Sequence, residues 1–147
     1  MTVRTHVALR VADLARSVNF YRAMFQTEPA KYKTDYAKFD LENPGLNLTL
    51  NLSDGEFARG TLSHLGIQVQ TLEEVKTAIA RFKAAGFEIL EERENECCYA
   101  LMDKVWVTDP DGNRWEVFAL DIEDLTPEDN IKIDEAPPVA AAAGCCG

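Results

Sequence analysis

The chain has 147 residues, 46% of them hydrophobic, which is enough to bury the core of one ordinary domain. Acidic residues outnumber basic ones 25 to 15, for a net charge of −10, so nucleic acid and anionic membranes are poor partners. No apolar run is long enough to span a membrane and no signal-like segment precedes the first strand, so a soluble, cytoplasmic protein is expected.

In chain order, His6 to Val11 alternates as a strand and is closed by Asp13, a good N-cap. Leu14, Val18, Tyr21 and Phe25 then recur at helical spacing, predicting a helix over Leu14 to Phe25. Ala37 to Leu41 and the strictly alternating Leu46 to Leu52 predict strands. The stretch from Ser63 to Val69 repeats the first strand. Thr71 and Glu74 form a capping box, Leu72, Val75, Ile79 and Phe82 an apolar stripe, and Gly86 a stop. Phe87 to Leu90, Tyr99 to Met102, Val105 to Thr108 and Arg114 to Leu120 supply further strands, with Asp109-Pro110-Asp111-Gly112-Asn113 as a tight turn. The charged run Glu91 to Glu96 reads as an exposed loop. Beyond Leu120 an acidic, then Pro/Ala-rich segment ending in Cys145 and Cys146 reads as a flexible tail, residues 121–147. The expected organisation is one domain over residues 1–120, built from modules at about 3–53 and 61–120.

His6 and His64 are the only histidines, and each occupies the same place in a pattern repeated at an offset of 64 − 6 = 58 residues. One histidine alone is more often a hydrogen-bonded strand residue; two placed equivalently by a duplication point to shared metal ligation. Aligning the last strands by Gly45 and Gly112 sets Glu116 opposite Thr49. A carboxylate between Trp115 and Val117-Phe118 needs a partner unless its strand turns it to solvent. Two imidazoles and one carboxylate with open positions suit non-haem Fe(II) that binds substrate and dioxygen side by side, though zinc, manganese or nickel also fit. The four cysteines form two adjacent pairs, unlike a secreted disulfide framework. Cys97 and Cys98 form a soft dithiol suited to trivalent arsenic or cadmium, which Lys104 would favour if it faces them. A vicinal disulfide, or one buried and one exposed cysteine, is the plainer reading.

His6, His64, Glu116, the Asp109 to Asn113 turn and the twofold repeat resemble the vicinal oxygen chelate superfamily over about residues 3 to 120. The resemblance implies an α+β fold of two βαβββ modules whose curved sheets form a cup around a metal site, with monomers and homodimers both possible. With Cys97 and Cys98 added, the chain is similar to the carbon–arsenic lyases of that superfamily and to cadmium-induced proteins. This likeness implies Fe(II)- and O2-dependent cleavage of trivalent methyl- or aryl-arsenicals to arsenite. His6, His64 and Glu116 would hold iron, Cys97 and Cys98 the arsenical, and the space around Phe39, Tyr99 and Trp106 would set substrate size. Two rival functions stay open on the sequence. One is a thiol-based sequestrant of cadmium or arsenite without turnover; the other is a glyoxalase-like lyase, whose usual fourth ligand is absent at Thr49.

Overall fold

The structure, a computed structural model, describes residues 3–55, 57, 60, 62–97 and 100–122. The first module runs β1 (Thr5–Val11), α1 (Leu14–Phe25), β2 (Lys31–Tyr32), β3 (Tyr36–Leu41) and β4 (Leu46–Leu52). The second runs β5 (Leu65–Gln68), α2 (Leu72–Ala84), β6 (Ile89–Cys97), β7 (Ala100–Thr108) and β8 (Arg114–Ile122). Each module is a βαβββ unit with one four-stranded sheet, ordered β1-β4-β3-β2 and β5-β8-β7-β6. The fold is α+β, as the sequence predicts.

Local chemistry explains the helices. Asp13 accepts the Arg16 amide to open α1, and Gln26 closes it in a left-handed conformation. Thr71 and Glu74 form the expected reciprocal capping box on α2, and Gly86, at φ 78°, follows its end. The register confirms the duplication. Ala8 pairs with Thr49 as Gly66 pairs with Glu116, and 66 − 8 reproduces the 58-residue offset.

The run Glu91 to Glu96 differs from its expected loop form. It lies within β6, the outer strand of its sheet, with an irregularity in pairing between Glu92 and Asn95. An edge strand needs no apolar alternation, and charge there discourages pairing with other chains. The runs read separately as Tyr99 to Met102 and Val105 to Thr108 fall, from Ala100 on, in one continuous β7, Tyr99 lying outside the described residues. Residues 123–147, including Cys145 and Cys146, lie outside the described residues.

The helices bury Leu9, Val11, Leu48, Leu50 and Phe39 on one sheet and Val105, Val107, Trp115 and Val117 on the other, in one core. Helix α1 bridges the modules. The Tyr21 ring packs against Phe39 of β3 and Trp115 of β8, while its hydroxyl donates to Asp109 and accepts from the Trp115 indole. The Asp109 carboxylate also accepts the amides of Asp111 and Asn113, and Asp111 accepts from the Ala12 amide and the Ser17 hydroxyl. The predicted turn is therefore also a clasp between modules. Among the described residues no helix is long and apolar enough to cross a membrane.

Candidate metal centre

Direct cross-strand partners point to the same side of a sheet. Glu116 pairs with Gly66 on β5 and with Trp106 on β7, so its side chain leaves the face opposite to Trp115 and the helices. His64, two residues before Gly66, joins that face: its Nε2 lies 3.5 Å from Glu116 Oε1. Gly66 makes room for this. A Cβ there would sit 3.0 Å from Glu116 Cγ and 3.3 Å from Oε1, so the absent side chain is a cradle for the carboxylate.

Glu116 is 7% exposed and does not stand unpaired. Lys104, 2% exposed, places Nζ 3.3 Å from Glu116 Oε2 and 3.9 Å from Glu92 Oε2. One carboxylate oxygen thus faces an ammonium and the other faces His64. Trp106 completes the wall, with His64 against it edge-to-face at 4.9 Å and the Lys104 and Arg114 cations over its ring at 5.2 and 4.3 Å. Its buried Nε1 has no hydrogen-bond partner among the described residues, a donor available to an incoming oxygen.

Both histidines use Nδ1 for contacts that orient the ring. His6 Nδ1 lies 3.1 Å from the Asn47 carbonyl oxygen, which accepts from it, so that Nε2 is the nitrogen turned away from the strand's own contacts. His64 Nδ1 lies 2.8 Å from Ser63 Oγ, again leaving Nε2 as the outward nitrogen. This is how metal-binding imidazoles are oriented, and with a buried carboxylate in a glycine cradle the residues present fit a divalent metal.

The structure brings His64 and Glu116 together, but not His6. His6 lies on β1 of the other sheet, exposed, with Asn47 and Asp40 as neighbours across the strands. Among the described residues no three His, Cys, Asp or Glu side chains gather as a ligand set within the chain. Cys97 ends β6 opposite Ala100, on the sheet that carries His64 and Glu116; Cys98 and Tyr99 lie outside the described residues. Lys104 faces Glu116 and Glu92. Phe39 is fully buried on the helix side and Trp106 borders His64, so only the latter of these two can shape a substrate. Gly66, Ser63, Asn47 and the role of Lys104 were not legible as site features. The one available signal was a lysine directly before the apolar run Val105-Trp106-Val107.

Paired βαβββ modules, with a histidine in the first strand of one and directly before the first strand of the other, define a class of metal-binding α+β proteins. A family model described as Glyoxalase/Bleomycin resistance protein/Dioxygenase superfamily matches residues 4–117, and the chain belongs to that superfamily. It is 50% identical over 113 residues, 77% of each chain, to a probable trivalent organoarsenical cleaving enzyme of Bacillus subtilis (strain 168). It is 39% identical to a trivalent organoarsenical cleaving enzyme of Thermomonospora curvata, covering 97% of this chain and 99% of the relative. Among solved structures, a glyoxalase/bleomycin resistance protein/dioxygenase from Alicyclobacillus acidocaldarius superposes with a TM-score of 0.67 at 20% identity, over 81% of this chain and 92% of the other.

Proposed function

We propose that this protein cleaves the carbon–arsenic bond of trivalent methyl- or aryl-arsenicals, releasing arsenite, in a reaction that requires Fe(II) and dioxygen. The observation that carries the reading is the joint presence of a vicinal dithiol, Cys97-Cys98, in the sequence and of a His-Glu pair, His64 and Glu116, in the structure, in a chain 39% and 50% identical to proteins named for that cleavage. We place it in the cytoplasm, where a reducing milieu keeps such thiols free.

The dithiol captures the substrate. A trivalent arsenical with one carbon and two hydroxyl groups exchanges both hydroxyls for Cys97 and Cys98 sulfurs; two As–S bonds form, two As–O bonds break, and the thiol protons leave with the hydroxyls as water. Held by both sulfurs beside the metal, the arsenic–carbon bond would react within one complex rather than in an encounter of separate species. His6, His64 and Glu116 would hold iron, which when bound supplies an electron source and open positions for dioxygen. Lys104 fixes one oxygen of Glu116 so that the other is presented to the metal. Trp106 Nε1 stands ready to donate to an oxygen arriving beside His64.

Anaerobic reconstitution with Fe(II), followed by a trivalent methyl- or phenyl-arsenical with and without oxygen, tests this. Catalytic arsenite release only with both iron and oxygen is expected. Stoichiometric binding with the arsenical recovered unchanged would instead make the protein a sequestrant, and cleavage without oxygen would point to a glyoxalase-like lyase.

A further inference from the structure

We infer that a cavity at the junction of the two modules, on the helix side of the molecule, binds a small organic carboxylate with an apolar body, held by Arg81. The cavity has a volume of about 460 Å³, within the range of small-molecule sites. Phe25 at the end of α1 and Pro44 between β3 and β4 line it from the first module, and Ile67, Val69 and Arg81 from the second. Phe25, Ile67 and Val69 pack against the core yet are only partly buried, so each keeps apolar surface for an occupant.

Arg81 lies on the flank of α2 that also carries Thr77 and Ala78 to the cavity. It is half-buried. Its Nε donates to the Met24 carbonyl oxygen at 3.1 Å, and its guanidinium carbon lies 5.3 Å from the centre of the Phe82 ring. These contacts fix the guanidinium plane and use one of its five N–H donors. Among the described residues its two Nη atoms have no hydrogen-bond or ion-pair partner. Burial lowers its pKa from the ordinary value, and no carboxylate offsets that cost. Glu74 also borders the cavity, but its Oε2 is turned back to the amides of Gln70 and Thr71 at the start of α2. An oriented fork with both Nη atoms open is the geometry that takes a carboxylate through two parallel bonds. One cation answers one negative charge, and a chain of net charge −10 disfavours polyanions. The apolar wall then takes the rest of the molecule. The site is separate from the metal centre, with its floor on the reverse of the strand pair that cradles Glu116: Ile67 pairs with Val117, next to the pairing of Gly66 with Glu116.

This inference is independent of the proposed reaction. The test titrates the full-length protein with benzoate, followed by saturation-transfer NMR and by the Arg81 Nε–H signal of 15N-labelled protein, with benzyl alcohol as the uncharged analogue of similar size. Benzoate should bind with a Kd below about 10 mM and shift the Arg81 Nε–H and the Ile67 and Val69 amides. Benzyl alcohol should bind at least about 10-fold more weakly. Arg81→Gln should lose benzoate by a similar factor while circular dichroism stays that of wild type. Thr77→Phe fills the cavity from an exposed position on α2 and leaves the guanidinium in place, so it should lose benzoate as well. Removal of metal with a chelator should leave the benzoate affinity unchanged. Binding that survives either substitution, binding that disappears with the metal, inorganic phosphate competing as tightly as benzoate, or no saturable binding of benzoate overturns the site.

Discussion

Glu116 accepts from Lys104 on one oxygen and meets His64 on the other, so the carboxylate has one position and two jobs. Glu116→Ala should abolish turnover and weaken metal binding beyond the roughly 10- to 100-fold cost of losing a residue that merely supports a ligand; unchanged metal content by elemental analysis would remove it from the site. Gly66→Ala is the subtler probe. Its Cβ would press on Glu116 at 3.0 Å, tilting the carboxylate without deleting it, and metal affinity should fall about 10-fold while the thermal midpoint hardly moves. For the thiols the expected outcome is opposite: Cys97→Ser should retain metal and lose arsenical binding in a titration. The two histidines stand out in the sequence because they recur through the duplication, and Glu116, whose counterpart is Thr49, because a carboxylate beside Trp115, Val117 and Phe118 needs a partner. Gly66 does not, since its value lies in a contact across strands that no spacing reveals.

At the level of elements, legibility followed how much of the pattern was set locally. Helix α1 begins and ends where the Asp13 cap and the apolar spacing put it, and β4 shows in strict alternation because Leu46, Leu48 and Leu50 join the apolar core while the other face carries polar Asn47, Thr49 and Asn51. Strand β6 was hidden: its pairing with β7 is long-range and its edge position asks for charge rather than alternation. The capping box on α2 offers a check on the local account. Thr71 accepts the Glu74 amide and Glu74 returns a bond to the Thr71 amide. Thr71→Ala should therefore cost about 1 kcal/mol, read as a fall of roughly 2–4 °C in the melting midpoint, with metal binding intact because α2 lies on the side of the sheet away from Glu116.

For the whole molecule, the decisive feature is that one buried hydroxyl joins the two modules. Sequence repeats identify the modules but carry no record of which faces meet; that is fixed by Tyr21 between Phe39 and Trp115, and it is what turns the histidines outward. Burial, and then the adjacent Asp109 carboxylate, push the Tyr21 phenol well above its ordinary range. The unfolded phenol titrates near about 10, so the folded state holds its proton more tightly than the unfolded one. The stability this represents is fully present below that pH and is lost as pH rises toward the folded value. Tyr21→Phe removes the donor to a buried carboxylate, at about 1–3 kcal/mol, and should also flatten the alkaline loss. Urea midpoints from neutral pH to pH about 11 for the two proteins measure both effects. Parallel curves would mean that the Tyr21–Asp109 bond adds nothing to the join, which would then rest on apolar packing and on the Asp111 bonds to Ala12 and Ser17.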